Sequence, residues 1–139
     1  MATATVSDAQ LTISIPDISK KKGHVKITCK VNFTPYELNE MKEGLVFDFR
    51  CGLYGLDLGG LVEHFISQLG SKHFTGQLTS PQSISYEKDI AFSLLDEDPP
   101  GDWFEDSLDE LVGKCILTNT YTGREYSVRT NQIKYQFGS

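Results

Sequence analysis

The side chains in this sequence most densely placed for chemistry are carboxylates. Eight acidic residues lie between positions 96 and 110. Oxygen ligands clustered on a loop at the end of a strand suit a calcium ion. Carboxylates this close also repel one another unless a cation or a basic group lies between them. The residues predicted to hold a divalent cation, with Ca²⁺ as the expected ion, are Asp96, Glu97, Asp98, Asp102 and Asp106.

The acidic segment does not have the spacing of an EF-hand. Pro100 stands at the fifth position of such a loop, and Ser107 stands at the twelfth, where a bidentate glutamate belongs. A second interpretation is one or two helical turns, because Ser107 and Glu110 have the spacing of a capping box. Apolar residues at helical spacing follow the prolines, namely Phe104, Leu108, Leu111 and Val112. On that interpretation the acids cap the helix and cover a solvated face.

Three aromatic side chains are predicted to contact a partner protein. Trp103 and Phe104 lie inside the acidic segment, and Tyr54 closes an alternating run next to several glycines. Aromatic side chains supply much of the binding energy of protein interfaces when they are exposed. The alternative for Trp103 and Phe104 is that they plug an open end of the fold.

The three cysteines, Cys29, Cys51 and Cys115, each stand among apolar residues. That setting predicts buried free thiols, and an odd number at wide spacing is not a disulfide framework. The alternative, for an exported protein, is one disulfide between two of the three cysteines. Cys29 and Cys51 are expected to be neighbours if their strands share a core. A Cys/His metal site is not predicted, because close pairs such as C-x₂-C are lacking and the three histidines are far apart.

Several functional classes are disfavoured by the sequence. The net charge of −6 argues against binding to nucleic acid or to an anionic membrane surface. The glycine-rich residues 52–60 lack the lysine and the spacing of a phosphate-binding loop. A G-x-S-x-G nucleophile motif is also lacking. The sequence therefore predicts a protein that is not an enzyme.

Two stretches alternate between apolar and polar side chains, which is the period of a strand with one wet face. The apolar members are Val25, Ile27, Cys29, Val31 and Phe33 in the first stretch and Leu45, Phe47, Phe49, Cys51 and Leu53 in the second. Pro35 follows the first stretch and cannot donate to a strand ladder. Gly52 in the second indicates a bulge or a close approach by another group.

The remaining strands are less regular. Residues 11–15 predict a short strand, and residues 84–94 predict a long one that leads straight into the acidic segment. Residues 112–118 and 126–137 predict a hairpin. In its second strand, the apolar side chains change from even-numbered to odd-numbered positions between Val128 and Ile133. That switch requires a bulge near Thr130 and Asn131.

Three stretches are harder to interpret. Residues 61–69 fit both a strand and a helix, and a strand is favoured because the neighbouring segments are β. Residues 37–43 fit a helical turn or a loop. Residues 1–9 are small and polar and predict a flexible end, with neither the basic nor the apolar part of a signal peptide.

These elements predict one all-β domain over residues 1–139, an antiparallel β-sandwich of about seven to nine short strands, with or without one short helix. A closed β-barrel is the alternative. The predicted function is a non-enzymatic binding or protein-interaction module, in the cytoplasm, whose acidic loop at residues 95–110 holds a divalent cation or a basic partner. The alternatives are a self-associating structural subunit, hence a homo-oligomer, and a carrier of a small ligand inside a barrel.

Overall fold

A computed structural model describes residues 3–57, 62–95 and 109–135, and 65% of the chain is in β-strands. The elements in chain order are β1 (Thr5–Ser14), a 3₁₀ turn (Ile18–Lys20), β2 (Lys22–Asn32), α1 (Pro35–Lys42), β3 (Phe47–Asp57), β4 (Val62–Phe74), β5 (Gln82–Ala91), the helical turn α2 (Phe92–Leu95), β6 (Asp109–Asn119) and β7 (Glu125–Tyr135). None of the helices in these ranges is long and apolar enough to cross a membrane.

The strands form two antiparallel sheets that face each other. Sheet A has the order β1–β2–β5, and sheet B has the order β4–β3–β6–β7. The predicted β-sandwich is thus confirmed. The barrel alternative is wrong, because the described strands form two separate sheets that do not close on themselves. The hypothesis of a small-ligand carrier required a barrel interior and loses that basis.

The core lies between the two sheets and is filled by the apolar side chains at alternate positions along each strand. Both strictly alternating stretches point their apolar members inward, and every one of those ten side chains is buried. Four phenylalanines pack with tilted and edge-on rings at the end of the sandwich where α1 lies. Their centroid distances are 5.1 Å for Phe33–Phe47, 5.4 Å for Phe33–Phe74 and 6.1 Å for Phe49–Phe74.

Helix α1 resolves the uncertainty over residues 37–43 in favour of a helix. It begins with a capping box, in which the Thr34 hydroxyl accepts from the Glu37 amide and the Glu37 carboxylate accepts from the Thr34 amide at 2.9 Å. The second oxygen of Glu37 accepts from the amide of Ala4 at 3.1 Å. This nearly buried carboxylate therefore fixes the start of the helix and the start of the chain together.

The bulge predicted near Thr130 and Asn131 is confirmed. The register between β6 and β7 slips at this point, where Val112 pairs with Gln132 and Lys114 pairs with Arg129. The side chains of the bulge then bond to backbone elsewhere. The Thr130 hydroxyl accepts from Gly113 at 2.8 Å. The Asn131 carboxamide both accepts from the Leu11 amide and donates to the Leu11 carbonyl, and so joins sheet B to sheet A.

Three boundaries differ from the prediction. Strand β1 begins at Thr5, so the segment predicted as flexible is already paired with β2 from that residue. Strand β5 ends at Ala91, because the chain turns into α2 and does not run on as a strand. Strand β6 begins at Asp109, so residues 109–112 are extended and paired with β7 rather than helical. Pairing with two neighbours overrides the helical spacing of Leu111 and Val112.

The prediction of a strand for residues 61–69 is confirmed for residues 62–69, which belong to β4. This strand is one of the two edge strands of sheet B and has two register irregularities against β3. They fall beside Gly52 and Tyr54, so the glycine does mark a bulged region as predicted.

Candidate functional site

Most of the predicted site residues lie outside the described ranges. This applies to all five predicted cation ligands, Asp96, Glu97, Asp98, Asp102 and Asp106, and to the aromatic residues Trp103 and Phe104. Their predicted roles stay predictions. Tyr54 is described and lies on β3 with its ring on the outer face of sheet B, away from the core.

Tyr54 forms an aromatic pair with a residue that the sequence did not single out. Phe65 stands directly opposite on β4, and the two rings meet edge to face with centroids 5.5 Å apart. Both rings pack against Gly52, where a Cβ atom would come within 3.3 Å of each of them. Phe65 is nevertheless 58% exposed. The pair is therefore held in place by a glycine underneath and open to solvent above.

Three charged side chains are linked to one another beside the aromatic pair, and one of them, Lys114, contacts the Tyr54 ring. Glu63 accepts from Lys114 at 3.2 Å through one oxygen and from Arg129 at 2.7 Å through the other. The Lys114 ammonium also lies 5.8 Å from the centre of the Tyr54 ring, within reach of a cation–π contact. We call Tyr54, Phe65, Glu63, Lys114 and Arg129 the outer-face patch.

The charges of the outer-face patch are coupled. Burial tends to raise the pKa of Glu63, but hydrogen bonds from Lys114 and Arg129 and their positive charges outweigh it and hold the pKa below its ordinary value. Glu63 is therefore ionised at neutral pH with both oxygens occupied. Because two cations share one carboxylate, the patch carries one surplus positive charge on a chain whose net charge is −6.

A second cluster lies inside the sandwich. Cys51 and Cys115 are directly opposite each other on β3 and β6, and Cys29 faces them from β2 in the other sheet. All three are buried, and their sulfur atoms lie within 4.8 Å of one another. The Sγ atoms of Cys51 and Cys115 are 3.4 Å apart, which is well beyond the bond length of a disulfide. The expectation that Cys29 and Cys51 are neighbours is met.

The three thiols do not ionise independently. Hydrogen bonds from Cys115 and Cys51 lower the pKa of Cys29, against the effect of burial. Hydrogen bonding to Cys29, together with burial, raises the pKa of Cys115 to about 12. Hydrogen bonding to both neighbours and burial raise that of Cys51 as well. A first thiolate is therefore favoured by its thiol neighbours, whereas a second and a third are disfavoured.

Tyr86 covers the cysteine cluster from the side between β4 and β5. Its ring packs against Gly70, the residue that pairs with Cys51. Burial raises the pKa of the Tyr86 hydroxyl, and negative charge on the nearby sulfurs of Cys51 and Cys29 adds to that shift.

Sequence reasoning missed both arrangements for the same reason. The cluster joins residues 29, 51 and 115, and each spacing is too long for a metal motif. The patch joins residues from four strands. The sequence indicates part of each arrangement. Cys29 and Cys51 both stand at inward-facing apolar positions of their strands, which predicts that they are close. Gly52 within a strand predicts the close approach of another group, which here is the pair of aromatic rings.

Comparison with known proteins adds little to this geometry. No protein-family model matches the sequence, and no curated protein matches it significantly. Among solved structures, the crystal structure of a protein from Bordetella pertussis assigned as ApaA aligns with 95% of this chain and 89% of that one. The identity is 10% and the TM-score is 0.35. At that TM-score the likeness bears on neither the fold nor the function of this chain.

Proposed function

We propose that this protein is a non-enzymatic binding module that engages a partner protein through the outer-face patch. The observation that supports this best is the exposed ring of Phe65, held edge to face against Tyr54 above Gly52. An aromatic side chain that is both fixed and exposed loses little conformational freedom on binding. Tyrosine and arginine, which the patch also contains, are enriched among the residues that dominate interface energies.

Charge complementarity indicates the chemistry of the partner. Both oxygens of Glu63 are occupied by Lys114 and Arg129, so a carboxylate on the partner could bind the surplus positive charge without displacing an existing contact. The fitting partner segment thus presents an apolar side chain against Phe65 with an acidic residue beside it.

The test compares the variant Phe65→Ser with the control Tyr121→Ser. Tyr121 is 66% exposed but lies in the β6–β7 turn, at the opposite end of sheet B from the patch. Each variant is used to capture proteins from a native extract. A protein that binds the wild type and Tyr121→Ser, but not Phe65→Ser, is then purified, and its affinity for each variant is measured by titration. We expect Phe65→Ser to weaken the affinity of such a partner at least tenfold, since a central aromatic anchor contributes about 2 kcal/mol or more.

Light scattering distinguishes a foreign partner from a second copy of this chain. A wild-type dimer that Phe65→Ser converts to a monomer would favour the structural-subunit alternative. If no interaction of the protein depends on Phe65, the proposal is wrong.

The acidic segment, residues 95–110, is our second proposal for a contact point, either with a divalent cation or with a basic partner. It is supported by the eight carboxylates within fifteen positions. Calcium titration is expected to raise the melting temperature and to change the fluorescence of Trp103, the single tryptophan. Unchanged values at millimolar calcium would rule out the cation.

We propose that the protein lies in the cytoplasm. The support comes from the sequence, in which an odd number of widely spaced cysteines is not a disulfide framework.

A further inference from the structure

We propose that Cys29, Cys51 and Cys115 form a three-coordinate site for a trivalent thiophilic ion, of which arsenic(III), supplied as arsenite, is the probe. This site lies in the core, on the inner faces of β2, β3 and β6, and does not depend on the outer-face patch. Its three ligands come from both sheets, so that an ion bound there would link sheet A to sheet B.

The sulfur positions already have the size of such a site. A metal–sulfur bond of about 2.3 Å places sulfurs about 3.8 Å apart in tetrahedral geometry and about 4.0 Å apart in a planar triangle. The three Sγ atoms lie within 4.8 Å of one another, and those of Cys51 and Cys115 are 3.4 Å apart. Small changes in side-chain torsion would equalise these distances, and a steep pyramid with the ion well above the sulfur plane accommodates the short one.

The surroundings select the coordination number. Within the described part of the chain, no histidine, aspartate or glutamate joins the three sulfurs as a fourth ligand. The residues that pair with the cysteines along the strands are Gly70, Ile84 and Val128. Zinc prefers four ligands. Arsenic(III) takes three ligands in a pyramid, because its lone pair occupies the fourth position.

Charge balance selects the valence of the ion. Three thiolates carry three negative charges, and an unbalanced charge in an apolar core is strongly disfavoured. A monovalent ion would leave two negative charges on the complex and a divalent ion would leave one. A trivalent ion leaves none. The three buried cysteines therefore suit an ion such as arsenic(III) better than copper(I) or zinc(II), even though all three ions bind thiolates.

The binding step is a condensation without a change of oxidation state. Arsenite at neutral pH is the uncharged molecule As(OH)₃. Each of the three thiols forms one As–S bond while one As–O bond breaks, and each thiol proton leaves with the departing hydroxide as water. One As(OH)₃ and three thiols thus give one As(SR)₃ group and three waters, and no oxidant or reductant takes part.

The side between the edge strands β4 and β5 offers an access route. The Tyr86 ring packs against Gly70 there, next to Cys51, and is partly exposed. An outward rotation of this one side chain would open a path to the sulfurs, and the reactant that must pass is small and neutral.

The test is titration of the reduced, full-length protein with sodium arsenite. We expect one arsenic per chain, a native mass increased by one arsenic less three hydrogens, and an X-ray absorption spectrum with three sulfur neighbours and no oxygen. Zinc(II) is expected to bind at least tenfold more weakly. The variants Cys29→Ala, Cys51→Ala and Cys115→Ala are each expected to weaken arsenite binding at least tenfold, whereas Val128→Ala loosens the core beside Cys115 and leaves binding unchanged.

Three results would overturn the proposal: unchanged arsenite affinity in Cys29→Ala, zinc binding as tight as arsenite binding, or an absorption spectrum with an oxygen in place of a sulfur. The absorption spectrum is measured on the wild type, so the proposal stays testable if the alanine variants do not fold.

Discussion

Replacing Glu37 with alanine is expected to lower the free energy of unfolding by about 3 kcal/mol. The carboxylate accepts hydrogen bonds from the Ala4 amide, the Thr34 amide and the Thr34 hydroxyl. Ala4 is fully buried, so its amide would lose its partner with no direct access to water. A buried donor without a partner is more unfavourable than the hydrogen bond itself is favourable, and each bond here is strengthened by the negative charge.

Chemical denaturation followed by circular dichroism measures this change. The matched control is Thr34→Ala, which removes the cap of α1 but leaves Ala4 bonded, and should lower the stability by about 1 kcal/mol. Glu37→Gln should fall between the two, because the carboxamide keeps one acceptor oxygen and turns its NH₂ group toward a donor. Equal losses for Thr34→Ala and Glu37→Ala would show that the link to Ala4 contributes nothing.

Replacing Gly70 with alanine is expected to lower the free energy of unfolding by about 2 kcal/mol. A Cβ atom at this position would lie 2.3–2.6 Å from three atoms of the Tyr86 ring. Gly70 is not among the residues with positive φ, so alanine can adopt its backbone conformation. The change from glycine to alanine in a strand would by itself favour folding by roughly 0.5–1 kcal/mol. The steric conflict exceeds this gain, because the atoms that must move belong to the base of the ring.

A double-mutant cycle with Tyr86→Ala isolates this contact. In the Tyr86→Ala background, the change at Gly70 should become neutral or slightly stabilising, because the added methyl group then meets empty space. The difference between the two backgrounds is the coupling energy of the pair, expected at about 2–3 kcal/mol. If Gly70→Ala destabilises both backgrounds equally, the close approach of Tyr86 to Gly70 is wrong.

Much of the fold was predictable from local patterns. The alternation over residues 25–33 and 45–53 identifies two strands and also which face is buried, because side chains on a strand point to opposite faces in turn. The change of parity between Val128 and Ile133 located a bulge, since one extra residue is needed to return the apolar set to the core. The spacing of Thr34 and Glu37 is that of a capping box, and it is the local signal in the sequence that favours a helix over a loop for α1.

Local patterns gave a wrong prediction where a segment fits both the helical and the strand period, or where it pairs with two neighbouring strands. Leu111 and Val112 continue a helical spacing, but pairing with both β3 and β7 fixes them as strand. In the same way the long alternation that begins at Ile84 does not carry the strand past Ala91, where the chain turns into α2. The relevant energies come from partners distant in sequence, which no local window contains.

The sequence by itself determined the β class, the buried parity of the main strands and the bulge. These follow from side-chain periodicity and from burial, which are properties of each segment. Only the tertiary structure decided that Phe65 meets Tyr54 over Gly52 and that Cys115 joins Cys29 and Cys51. Such contacts depend on strand order and register, and in an antiparallel sandwich these bring together residues more than 60 positions apart, as for the cysteines on β3 and β6.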